Sequence, residues 1–131
     1  MTIAALFCVN VLEAQLSVIV SPPKITGQKA VLPLTLKNEF SVKIESARAV
    51  AFLIDEQGKV IGQSTRWVIG GSQDTAGLPP GGTNTFNFVV QAHKPLTTTN
   101  LTAKLTFNRL ILENGKLAEL NKSVHIESPT R

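Results

Sequence analysis

The stretch Arg48–Trp67, RAVAFLIDEQGKVIGQSTRW, decides the fold. Val50, Phe52 and Ile54 alternate with smaller residues, Asp55–Lys59 supplies a turn containing a glycine, and Val60 to Trp67 runs back. Alternation at period two marks a strand whose two faces see different surroundings. A glycine in a short connection allows the positive φ that a hairpin turn or its bulge requires. The stretch therefore reads as one long β-hairpin. Its first strand is apolar on both faces, with Ala47, Ala49, Ala51 and Leu53 opposite Val50, Phe52 and Ile54. Such a strand is central, or is covered on its second face by something bulky. Trp67, on the returning strand with Ile61 and Ile69, is one candidate cover, and a partner chain lying on the alanine face is another.

Moving outward towards the N-terminus, Asn38–Ser46 keeps some alternation through Phe40, Val42 and Ile44 and reads as a segment crossing one end of the core. Ala30–Lys37 reads as a strand with Leu32, Leu34 and Leu36 on one face. Pro33 lies on the other face and cannot donate to a ladder, which predicts an edge strand or a bulge. Leu16–Val20 is a short first strand stopped by Pro22-Pro23.

Thr2–Leu12 is an apolar run of a length that suits a signal peptide and is too short to span a membrane. No Lys or Arg precedes it, and Leu12-Glu13-Ala14 is a poor match to a cleavage site. Two readings stand: residues 1–15 as a signal peptide, truncated at its start and cut near Ala14 or Gln15, or a first strand of a cytosolic domain. The first places the protein outside the cytoplasm, secreted or periplasmic. No other stretch is long and apolar enough to cross a membrane.

Towards the C-terminus, Gly70–Gly82 (GGSQDTAGLPPGG) is a surface loop rich in turn formers. It lacks the Gly-Lys-Ser/Thr ending and following helix of a phosphate-cradling loop. Thr83–Gln91 is a strand with Phe86, Phe88 and Val90 inward. Leu101–Leu112 alternates through Leu101, Ala103, Leu105 and Phe107, then changes phase to Leu110 and Leu112, which predicts a β-bulge near Asn108-Arg109. Asn114-Gly115 is a strong hairpin signal. Leu117–Ile126 then closes the sheet with Leu120, Val124 and Ile126, and residues 128–131 form a polar tail.

About seven strands with no convincing helix predict an all-β fold, an immunoglobulin-like antiparallel β-sandwich occupying residues 16–127. A chain of 131 residues and 14.1 kDa is one domain and needs neither metal nor disulfide to fold. With 43% hydrophobic residues it is not a disordered sequence. Cys8 is its one cysteine, so no internal disulfide forms, and Phe7 excludes a lipobox. The net charge of +4 comes from basic residues spread singly between acidic and polar ones. A nucleic-acid binder concentrates them in a stripe with exposed aromatics, so nucleic acid is not an expected partner.

Asn38, then VAFLID at 50–55 with GKVI at 58–61, then Leu78-Pro79-Pro80-Gly81 leading into Phe86 and Phe88, resembles the FxLYD-type domains, small Ig-like modules akin to the late-embryogenesis-abundant sandwiches. The resemblance covers roughly residues 31–90, and isoleucine stands at 54 where the family has tyrosine. It implies a non-catalytic module, usually outside the bacterial cytoplasm, and supplies no functional residues.

The chemistry-bearing residues are sparse. Only His93 and His125 could serve as the base of a catalytic triad, and neither sits in a nucleophile motif. Zinc would need three or four ligands, and Asp55-Glu56 is a lone adjacent pair at a hairpin tip. Asn100-Leu101-Thr102 and Asn121-Lys122-Ser123 match glycosylation sequons. Trp67 is the one candidate for a sugar platform, though core burial suits it better. The expectation is no catalytic, cofactor or metal residues, and a module binding protein partners at the cell envelope. A self-assembling envelope subunit is the alternative, and a carbohydrate-binding protein or enzyme a third reading.

Overall fold

The computed structural model describes residues 15–71, 76–97 and 100–128. The signal-peptide reading of residues 1–15 falls, except for Gln15, outside them, as does most of the tail. The described residues form an all-β sandwich of two sheets packed face to face. Nine strands occur in order: β1 (Leu16–Val20), β2 (Lys24–Thr26), β3 (Lys29–Asn38), β4 (Ile44–Ile54), β5 (Val60–Ile69), β6 (Thr83–Gln91), β7 (Thr102–Leu112), β8 (Lys116–Leu117) and β9 (Val124–Glu127). One four-residue helical turn, α1 (Leu120–Ser123), precedes β9.

In the first sheet, β3 pairs along its length with β6; its other side pairs with β2 and then β1, and β9 lies beyond β1 in parallel. In the second, the order is β5–β4–β7–β8, all antiparallel. The crossing segment after Asn38 carries the chain from one sheet to the other; Phe40 and Ile44 are buried, but Val42, expected on the same face, is exposed.

Pro33 is not at an edge. It lies on the central strand β3, opposite Asn87 of β6. The Ser21 N–H donates to its carbonyl at 2.9 Å. Because N–H and C=O of one strand residue point the same way, the missing donor of Pro33 faces the seam where β1 stops and β2 begins. No ladder bond is lost there, so proline is tolerated in mid-sheet.

The central hairpin forms as its pattern predicts, with β4 between β5 and β7. Its turn is closed by Asp55, whose Oδ1 accepts the N–H groups of Gln57 and Lys59, both at 2.9 Å, and Gly58 takes φ +82°. The alanine face is turned inward. Ala47, Ala49, Ala51 and Leu53 have no exposed surface, while Val50, Phe52 and Ile54 are half-buried on the outer face. Small side chains on β4 admit the bulky Leu32, Leu34, Leu36 and Phe88 of the opposite sheet, all buried.

The phase change in β7 is a bulge at the expected place. Arg48 of β4 pairs with Arg109 and Ala49 with Phe107, leaving Asn108 as the extra residue. A second bulge faces it across β4, where Ala47 pairs with Ile69 and Arg48 with Trp67, leaving Val68 extra. A third, at Ile61, follows the turn. These shifts put both Val68 and Ile69 in the core and turn Trp67 outward.

The last strand departs from expectation. The Asn114-Gly115 turn forms, with Asn114 at φ +70° and Gly115 at +76°, but β8 is only two residues long. The chain then passes through α1 and delivers Val124 and Ile126 to the other sheet, beside β1.

Candidate functional site

The two sides of the sandwich are finished differently. On one side, β5 and β6 meet. Gly62 bridges to Ala92, and the His93 N–H donates to the Ile61 carbonyl at 2.9 Å. A Cβ on Gly62 would lie 2.7 Å from the Gln91 carbonyl oxygen, so only glycine permits this approach. Beyond the bridge, side chains of β5 seal the backbone of β6. Ser64 Oγ accepts the Gln91 N–H at 3.0 Å, and Arg66 Nε donates to the Val89 carbonyl at 3.2 Å. A covered edge cannot recruit another strand.

On the opposite side, β7 and β9 do not pair. From Thr102 to Arg109, β7 has β4 on one flank and no strand on the other, since β8 reaches only Ile111 and Leu112. A groove of about 280 Å³ opens between the sheets here. Leu105 and Phe107 form its β7 wall, Val124 and Ile126 its β9 wall, and Leu120 and Asn121 of α1 close part of it. Leu105 and Phe107 are nearly buried, while Leu120, Val124 and Ile126 are half-exposed.

A larger cleft of about 450 Å³ lies at the tip of the β4–β5 hairpin, between Asp55, Glu56, Lys59 and Ile61 and the loop carrying His93 and Lys94. Its acids already have partners. Asp55 locks the turn, and Glu56 accepts a hydrogen bond from Asn100 Nδ2. His125 faces outward, its Nε2 3.7 Å from Glu127 Oε2 with both side chains mostly exposed. His93 lies in the loop after β6 and His125 on β9, and no cluster of three or more metal-ligating residues occurs among the described residues.

Trp67 is neither core nor an open platform. The Arg48 guanidinium carbon stands 5.2 Å from its ring centroid, and Arg48 Nε donates to Asn108 Oδ1 at 3.0 Å. A Cβ on Gly71 would lie 2.3 Å from the Trp67 ring, so backbone packs close against the indole. With the ring half-buried on the outer face, Trp67→Ala should cost about 1–2 kcal/mol instead of the roughly 3–5 kcal/mol of a core tryptophan. Urea unfolding checks the cost, and emission intermediate between buried and free indole checks the placement.

Residue-type reasoning finds none of the groove. It is set by which strands end up beside which, and by β9 leaving the sheet of β7, which no local pattern encodes. The local signals are the alternation of Leu105 and Phe107 with polar Lys104, Thr106 and Asn108, and the apolar Leu120, Val124 and Ile126.

No family model and no curated protein sequence matches the chain. Solved structures do. A protein from Bordetella pertussis designated ApaA superposes with a TM-score of 0.55 and 22% identity, over 80% of this chain and 85% of that one. IrmA from Escherichia coli superposes with a TM-score of 0.51 and 14% identity, over 90% and 93%. At these identities the likeness is one of fold.

Proposed function

We propose that this protein is an exported, non-catalytic, immunoglobulin-like module of the FxLYD type that binds protein partners at the bacterial cell envelope, through the open side of its sandwich. The observation that carries the reading is the contrast between the two seams. One is sealed by Gly62, Ser64 and Arg66, and the other leaves an eight-residue strand edge above an apolar groove. An exposed edge invites strand addition, and natural domains cover such edges unless they use them. Among the described residues no helix is long and apolar enough to cross a membrane, which is compatible with export.

Two measurements test the proposal. Expressed from an extended upstream start in an export-competent bacterium, the mature protein should begin near Gln15 or Leu16 and fractionate outside the cytoplasm. A photo-crosslinking residue at Thr106 should give a discrete protein adduct there, and one at Thr85, on the outer face of the other sheet, should not. An uncleaved cytosolic product overturns the exported part. Absence of any adduct at 106 overturns the interaction part, and an adduct of twice the chain's mass replaces it with self-assembly.

A further inference from the structure

The β7 edge also specifies what kind of strand it takes, an inference that rests on the module reading above. From Thr102 to Arg109 the edge is eight residues long, about 26 Å at roughly 3.3 Å per residue. A strand added there would place alternate side chains in the groove, against Leu105 and Phe107 of β7 and Val124 and Ile126 of β9. Its other side chains would lie on the outer face of the second sheet, as cross-strand neighbours of Lys104, Thr106 and Arg109.

Lys104 and Arg109 are exposed, and neither has an acidic partner among the described residues. Lys122 of α1, the helical turn whose Leu120 and Asn121 line the groove, is also exposed and has no ion pair among the described residues. Glu127, exposed on the β9 side with its Oε2 3.7 Å from His125 Nε2, is the acidic residue of that wall. An incoming strand thus meets apolar surface on its inner face and unpaired positive charge along its outer one. Opposite charges directly across a strand pair are favourable and like charges are not.

We infer that the groove between β7 and β9 binds an extended peptide segment whose inward side chains are apolar and whose outward side chains are acidic. α1 leans on β7 without a backbone hydrogen bond to it, so Thr102–Arg109 has no strand partner on that flank, and an added strand would have to displace the contact of Leu120 and Asn121. The larger cleft at the hairpin tip offers no such match, because its carboxylates are already engaged.

The test uses two fluorescein-labelled heptapeptides, Glu-Val-Glu-Ile-Glu-Val-Glu and Lys-Val-Lys-Ile-Lys-Val-Lys, titrated with the protein by fluorescence anisotropy at low and at physiological salt. The acidic peptide should bind saturably and about tenfold or more tightly than the basic one, with the preference narrowing as salt rises. The double variant K104E/R109E should reverse the preference; both residues are exposed, and its unfolding midpoint should match the parent's. K104Q alone should weaken acidic-peptide binding without reversing it. Amide exchange should slow along 102–109 on adding the acidic peptide and stay unchanged on β6.

No saturable binding, equal binding of both peptides, or a preference that K104E/R109E leaves intact would sink the inference. So would protection confined to the hairpin-tip cleft. A peptide-free protein that sediments as a dimer, with the same β7 amides protected, would give the groove to a second copy instead. These outcomes are separable from failure of the module itself. An adduct at Thr106 with a partner that lacks acidic alternation leaves the module standing and removes only the peptide class.

Discussion

Asn38→Ala should lower the unfolding free energy by about 3–5 kcal/mol, seen as a reduced urea midpoint with an unchanged slope. Asn38 is fully buried at the end of β3, and its side chain uses every hydrogen-bonding group it aims inward. Nδ2 donates to the Val42 carbonyl and to the Leu78 carbonyl, both at 2.9 Å, and Oδ1 accepts the Phe40 N–H at 2.8 Å. The backbone adds two more bonds, from Asn38 N to the Gly82 carbonyl and from Gly81 N to the Asn38 carbonyl. The residue thereby ties the crossing segment to the loop that leads into β6. Truncation leaves three backbone groups without this partner at a buried site, and each orphan costs roughly 1–3 kcal/mol before relaxation. Asn38→Asp should do no better than alanine, because it replaces the amide donors with oxygen aimed at two carbonyl oxygens. An aspartate variant as stable as the parent would contradict this account of the site.

Phe88→Ala should cost about as much, 3–5 kcal/mol or so. Phe88 is fully buried on β6, opposite Leu32 of β3, with the Phe86 ring edge-on at 6.2 Å. Across the core lies the alanine row of β4, whose side chains are too short to move into the space. With only methyl groups on the facing row of β4, the site collapses poorly from that side, so the cavity term stays large. Phe88→Leu keeps most of the volume and should cost less than half as much. Equilibrium unfolding of both variants decides it; equal losses would mean that ring shape, not filled volume, governs the position.

The parts of the fold legible in the sequence were those coded locally. Strand alternation located β1, β3, β6 and β7 to within two residues, Gly58 and Asn114-Gly115 marked real turns, and the phase change in β7 fell at the Asn108 bulge. Questions that depend on which surface faces which were not legible. Val50, Phe52 and Ile54 are larger than the alanines, yet they face outward because the opposite sheet brings bulk enough to fill the space above small residues. Trp67 leaves the core through a bulge at Val68, a shift that the shared parity of Ile61, Trp67 and Ile69 does not reveal. Asn38 is legible only as part of a pattern, since the partners that make it structural lie at 42 and 78. Pro33 reads as an edge or bulge residue because the rule against mid-sheet proline assumes an unbroken neighbour, and here the neighbour changes from β1 to β2 around that residue.

The parallel pairing of β1 with β9 bears on how the domain carries load. Leu16–Ile19 lies in register with Val124–Glu127, so the first and last strands of the sandwich run side by side in one direction. Tension applied through Gln15 and Ser128 pulls the N-terminal end of one strand against the C-terminal end of the other. That geometry loads the ladder in shear: its bonds share the force and must yield together, whereas an antiparallel pair pulled from adjacent ends opens one bond at a time. A domain strung between an anchor and a partner would therefore resist stretching with the short strand it adds last.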